Sequence, residues 1–221
     1  MTMTRTMPDI THHLSDRLLM AYAAGTLPEA FSLTVATHIS LCDECRARLG
    51  AYESLGGAVL DHAAPVAMAE DSLAATMARI RAGAPDVPPA PRRAPGVLPA
   101  PLCDYVGGDL ADVRWRPVGM GVKQAILPTS RDATARLLYI PAGAAVPDHG
   151  HRGTELTLVL QGAFVDETAR FGRGDIEIAN EDMHHMPVAD IGEDCICLAA
   201  TDAPLRFRGL IPRIAQPFLR I

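Results

Sequence analysis

The chain has 221 residues, a formal net charge of −6 and nearly half apolar residues, so a sizeable core is feasible. An acidic chain without Lys/Arg clusters is a poor candidate for direct nucleic-acid binding, where phosphate neutralisation dominates affinity. The first residues, MTMTRTMPDITHHLSD, contain no apolar h-region, and no run approaches the roughly 20 apolar residues of a membrane span.

These exclusions point to a cytoplasmic protein. Thiols stay reduced in that compartment, so close cysteines mean metal or redox chemistry more often than structural disulfides. The N-terminal part reads as helical. SDRLLMAYAAG opens with Ser15 as an N-cap and closes with Gly25, and PEAFSLTVATHISL starts with Pro28, which suits a first helical turn. DECRARLGAYESLGGAVLDH follows, and EDSLAATMARIRAG places Leu73, Met77 and Ile80 on one helical stripe. Such a stripe fits either internal packing or a docking face.

THISLCDEC, residues 37–45, spans two of these segments. Were it helical, about 100° per residue would put Cys42 at about 40° and Cys45 at about −20° from His38, on one face. A structural zinc takes four Cys/His ligands in a tetrahedron. The fourth must come from elsewhere, and His12 and His13 stand in a short arm before the first helix. Spacing does not separate these two; His13 is the preferred one. A redox CxxC is the alternative, but its thioredoxin-like form expects βαβ surroundings rather than helices.

Composition changes sharply at 85–101, PDVPPAPRRAPGVLPAP, where seven of 17 residues are proline. That density excludes helix and central strand and predicts an extended linker. It divides the chain into a domain at 1–84 and another at 102–221, which are expected to fold independently.

The second domain reads as β. RLLYI (136–140), ELTLVLQG (155–162), DIEIA (175–179) and CICLAA (195–200) are short runs bounded by turn residues, the pattern of a sandwich or barrel. Within GAAVPDHGHRGTELTLVLQG, His149, His151 and Glu155 are separated by even numbers, so in extended strands they share one face. Burying such groups together without a cation would be costly. A metal with this donor set could be Zn, Fe, Mn or Ni. Cys195 and Cys197 also share one strand face and are read as core thiols. Trp115 is read as core, and Cys103 has no partner in sequence.

These motifs carry two resemblances. The HxxxCxxC spacing with an upstream histidine, across residues 11–83, resembles the zinc-binding anti-sigma domain, which implies His13, His38, Cys42 and Cys45 as zinc ligands. The spacing G-x5-HxH-x3-E-x6-G at 143–162 is similar to the first cupin motif. FGRGD at 171–175 with His185 ten residues later resembles a degenerate second motif, with His184 as competitor. The cupin resemblance implies His149, His151, Glu155 and His185 around zinc or another divalent metal.

Together the halves resemble the ChrR-type anti-sigma factors. The fold class implied is an α + β multidomain chain, with a zinc-holding N-terminal helical bundle and a C-terminal cupin β-barrel. The function implied is negative regulation of transcription. The chain would sequester an extracytoplasmic-function-class sigma factor as a 1:1 heterodimer and release it on oxidative stress, singlet oxygen in particular. No catalytic residue, nucleic-acid contact or membrane segment is implied. The alternative is a cupin metalloenzyme, a dioxygenase or isomerase, with an accessory zinc domain.

Overall fold

The structure, a computed structural model, describes residues 9–83 and 96–207. Four helices come first: α1 (Asp16–Ala23), α2 (Glu29–Ile39), α3 (Asp43–Asp61) and α4 (Ser72–Arg81). The Ser15 hydroxyl accepts the Leu18 N–H and caps α1 as its side-chain chemistry dictates. A fifth helix, α5 (Ala100–Val106), is followed by a single 3-10 turn at Leu110–Asp112.

Twelve strands complete the described chain: β1 (Arg116–Gly119), β2 (Val122–Ile126), β3 (Thr134–Ile140), β4 (His149–Gly150), β5 (Glu155–Gln161), β6 (Ala163–Val165), β7 (Arg170–Gly172), β8 (Ile176–Ala179), β9 (His184–His185), β10 (Val188–Ala189), β11 (Cys195–Thr201) and β12 (Arg206–Phe207). They form one six-stranded sheet, β1-β2-β3-β11-β5-β8, and two three-stranded sheets, β10-β6-β7 and β12-β4-β9. All strand pairs are antiparallel.

The six-stranded sheet is buried on both faces. Ala135, Leu137, Leu156, Leu158, Leu160, Leu198 and Ala200 turn toward the helices. Val122, Ile140, Val159, Cys195 and Cys197 turn to the opposite side, with Phe164 and Phe171. This explains why β5 and β11 read as nearly continuous apolar runs instead of alternating ones.

Helix α2 covers the sheet. Seven of its eleven residues are buried, because it is enclosed by α1, α3 and α5 on one side and by β3, β5 and β11 on the other. Thr34 and Thr37 are buried here because their hydroxyls donate to the carbonyls of Ala30 and Leu33. Full burial of a side chain such as Leu33 contributes about 1.5–3 kcal/mol. Polar pins reinforce the packing. The Tyr105 hydroxyl and the Ser130 N–H both donate to the Glu29 carboxylate, at 2.7 and 2.6 Å.

One hydrophobic core therefore runs from Leu14 and Leu19 through α2 to Leu158 and Leu198. The two halves, expected to fold independently, share this core: the sheet supplies the floor on which the helices pack. Of the expected linker, residues 84–95 lie outside the described residues. Its last part is structured. Leu98 is buried, the Asp109 carboxylate accepts the N–H groups of Val97 and Leu98, and α5 begins at Ala100 behind Pro99.

Beyond Leu49 the first half changes character. None of residues 50–83 is buried. Leu73, Met77 and Ile80 on α4 are 73%, 39% and 65% exposed, so the internal-packing reading of this stripe fails among the described residues. No helix among the described residues is long and apolar enough to cross a membrane.

Candidate metal centres

The first centre gathers His13, His38, Cys42 and Cys45, with one donor atom from each lying within 4.8 Å of all the others. The 37–45 segment is not one continuous helix. α2 ends at Ile39, and Cys42 is the N-cap of α3 in extended conformation, with φ −108° and ψ 107°. The Cys42 thiol accepts the Cys45 N–H at 3.4 Å, as an N-cap side chain does. A break between two helices thus brings His38 and the cysteines together, where a shared helical face was expected.

His13 closes the group. Its Nδ1 lies 3.3 Å from Cys42 Sγ and 3.7 Å from Cys45 Sγ, while Nε2 faces Glu44 at 3.3 Å. His12 turns the other way: its ring lies on Phe171, with centroids 4.3 Å apart, and its Nδ1 faces Asp175. The structure therefore brings His13, not His12, to the cysteines.

The donor chemistry suits a cation. His38 is fully buried, and neither ring nitrogen has a hydrogen-bond partner of ordinary geometry. Leaving such groups unsatisfied costs about 1–3 kcal/mol each. Burial pushes the His38 pKa down to about 4, against the opposing influence of the Gly174 backbone, so its lone pair is available at neutral pH. Burial also pushes the Cys45 thiol up to about 11, so an ion must displace a proton there.

The second centre lies in the barrel. β4 and β9 pair so that His149 stands opposite His185. The Nε2 of His185 lies 3.2 Å from that of His149 and 3.3 Å from that of His151. All three histidines are buried. Strand alternation settles the rival: His185 points inward while its neighbour His184 is exposed. Glu155 stands beside the triad, its Oε2 3.6 Å from Nδ1 of His151 and its Oε1 accepting the Thr157 hydroxyl. Among the described residues, the tight donor group comprises the three imidazoles without Glu155.

Two residues missed in the sequence hold this triad from behind. His185 Nδ1 lies 3.0 Å from Glu177 Oε1 and 3.3 Å from Asp166 Oδ2. Burial raises Glu177 to about 7, and burial works against the charge on Asp166 as well. Hydrogen bonds from Glu177, Ala169 and Thr168 outweigh it and hold the Asp166 carboxyl well below its usual range. Despite its own burial, His185 is raised to about 9 by these carboxyls. Such carboxyl partners are the outer shell of a metal-bound imidazole: they orient the ring with Nε2 toward the other two imidazoles, where an ion would displace its proton. The signal in the sequence was a glutamate inside the apolar strand DIEIA.

Among the described residues, the remaining cysteines belong to neither donor group. Cys195 and Cys197 are buried with their sulfurs 3.4 Å apart, and Cys103 donates to the Leu98 carbonyl.

Comparison with known proteins extends these observations. Residues 105–204 match the family described as the ChrR cupin-like domain. The chain is 65% identical over 212 residues to the anti-sigma-E factor ChrR of Cereibacter sphaeroides, covering 96% of this chain and 99% of that one. A crystal structure of Rhodobacter sphaeroides SigE in complex with the anti-sigma ChrR matches with a TM-score of 0.79 and 64% identity. That match covers 88% of this chain and all of the other. A helical first half with a Cys/His cluster, a cupin-like barrel with its histidine triad, and this identity along nearly the whole length lead to one conclusion: the chain belongs to the ChrR family of anti-sigma factors.

Proposed function

We propose that this chain sequesters an alternative sigma factor of the extracytoplasmic-function class in a 1:1 complex, and so acts as a negative regulator of transcription. The observation that carries this reading is the bare surface of residues 50–83. A helix with an apolar stripe and no buried residue is unsatisfied on its own; Leu55, Val59 and Leu60 of α3 are exposed as well. Stripes of this kind dock into grooves of partner helices. The relative whose structure contains SigE supports a sigma factor as that partner.

In this reading His13, His38, Cys42 and Cys45 hold a structural zinc, for which two thiolates and two imidazoles are a closed ligand set. His149, His151, His185 and Glu155 hold zinc or another divalent ion in the barrel. The barrel is a sensor and not an enzyme. It answers oxidative stress, singlet oxygen in particular, and the protein works in the cytoplasm.

The test is a pull-down from the native cytoplasm together with a sigma-dependent reporter. A sigma factor should co-purify, and deleting the chain should raise reporter output. His149→Ala or Glu155→Ala should leave basal inhibition intact and weaken the response to stress. Absence of any sigma factor from the pull-down would overturn the reading. Oxygen uptake by the metal-loaded protein with small diketones, thiols or organic acids would instead indicate turnover.

A further inference from the structure

The turn between β7 and β8, Gly172-Arg173-Gly174-Asp175, belongs to the barrel yet holds the arm that carries His13. Asp175 is buried, and its carboxylate accepts backbone donors from both halves of the chain. Oδ1 accepts the N–H groups of Thr11 at 2.7 Å and His12 at 2.8 Å, and Oδ2 accepts the Gly172 N–H at 2.8 Å. The Ile176 N–H donates back to the His12 carbonyl at 3.3 Å.

The fit is close. Gly174 has φ +93°, and a Cβ there would stand 2.6 Å from Ile10 Cδ1, so turn and arm are in direct contact. Residues 9–15 form no helix or strand of their own. Their path is therefore set by what they touch, and the next residue after these bonds is His13. Two residues beyond Asp175, Glu177 holds His185. The segment 175–177 thus holds the arm that leads to His13 in one centre and the ring of His185 in the other.

We propose that this turn is the outer shell of the His/Cys cluster, that Asp175 is a positioning residue for His13, and that the barrel thereby sets how tightly the N-terminal cluster holds its metal. The inference rests on the metal reading of that cluster. Outer-shell partners of a ligating histidine are commonly worth about 10–100-fold in metal affinity. Here the partner is contributed by the other half of the chain.

The test is titration of the full-length, metal-stripped chain with cobalt(II), read through the thiolate-to-cobalt charge-transfer band. Only the cysteine-containing cluster produces that band, so the barrel site does not interfere. Asp175→Asn replaces one acceptor oxygen with a donor facing backbone N–H groups. It should weaken cobalt binding at the cluster about 10–100-fold, with far-UV dichroism and barrel metal content unchanged. Unaltered affinity in a folded Asp175→Asn protein would overturn the proposal. Because Oδ2 also supports the hairpin, Asp175→Asn could disturb the barrel, and Ile10→Ala then decides, since it loosens the arm from outside the barrel. That variant should weaken binding several-fold, and an unchanged affinity overturns the proposal. If the wild-type chain yields no thiolate–cobalt band, the metal reading falls, and this inference with it. A normal wild-type band with indifferent variants removes only the outer-shell role.

Discussion

Residues 9–49 and 50–83 come from the same helical half, yet they differ in every physical respect. The first stretch buries Leu14, Leu19, Phe31, Leu33, Val35 and Leu49, closes around four donor atoms, and is pinned to the sheet through Glu29 and the Asp175 turn. The second buries nothing, although α4 and the end of α3 carry three leucines, a valine, a methionine and an isoleucine. Helices in water owe most of their stability to packing of an apolar face. A helix left without packing, attached to a base held from several sides, is built to pack against something else. The pinned part is held from several sides, and the bare part is the contact surface in the function proposed above.

Removing the donors of the Cys/His cluster should have the largest effect on this comparison. Structural zinc in small domains contributes on the order of 10–16 kcal/mol. Cys42→Ala or Cys45→Ala should release the cluster metal, lower helicity and abolish partner binding, measured by metal analysis, circular dichroism and pull-down. Full helicity and full inhibition in Cys42→Ala would break the distinction between a metal-held base and a free arm.

The next effect separates packing from docking. Leu33→Ala in α2 removes a side chain from the shared core and should cost about 2–5 kcal/mol of stability in denaturant unfolding. Leu73→Asp with Ile80→Asp alters only exposed positions and should leave stability within about 0.5 kcal/mol, while partner capture is lost. If the α4 variant unfolds the protein and Leu33→Ala does not, the comparison is reversed.

Truncation should have an intermediate effect. A fragment of residues 1–84 keeps the bare surface and should still capture the sigma factor. It loses the sheet beneath α2 and the Asp175 turn, so its thermal unfolding should occur at lower temperature and its metal should leave more readily than in the full chain. Equal melting and metal retention would show the halves to be independent after all.

In the barrel, Glu177→Gln should weaken metal binding at the histidine triad about tenfold, the low end for an outer-shell partner, as read by metal competition. The smallest expected effect concerns the pin at Glu29. The Tyr105 hydroxyl, then the Ser130 N–H, hold its carboxyl below the ordinary value of 4.5. Its contribution is therefore present above that value and is lost as pH falls through the lowered one. Glu29→Gln should flatten this part of the acid-unfolding profile slightly and leave stability near pH 7 little changed in its pH dependence.

The helices α1 to α4 and the strands β3, β5, β8 and β11 could be read from periodicity to within a few residues. α5 was hidden in the proline-rich stretch. Pro99 and Pro101 sit at its start, where a missing N–H costs nothing, so proline density there marks a helix entry as well as a linker. Strands of two residues, such as β4 and β9, carry no period to detect and exist only because their partners are already in place.

Local spacing, which covalent geometry governs, was enough to single out His38, Cys42 and Cys45, and to put His149, His151 and Glu155 on one side of the chain. It could not choose between His12 and His13, or between His184 and His185, because adjacent residues have the same composition and opposite directions. Tertiary structure made those choices: the Asp175 turn draws His12 toward the barrel and leaves His13 to the cysteines, and strand alternation sends His185 inward. Asp175 lies more than 160 residues from the arm it holds, so no local pattern could announce the contact. The shared core was hidden for the same reason. Whether an apolar helix face meets a sheet, as in α2, or is left for a partner, as in α4, is decided by where the rest of the chain folds and not by the stripe itself.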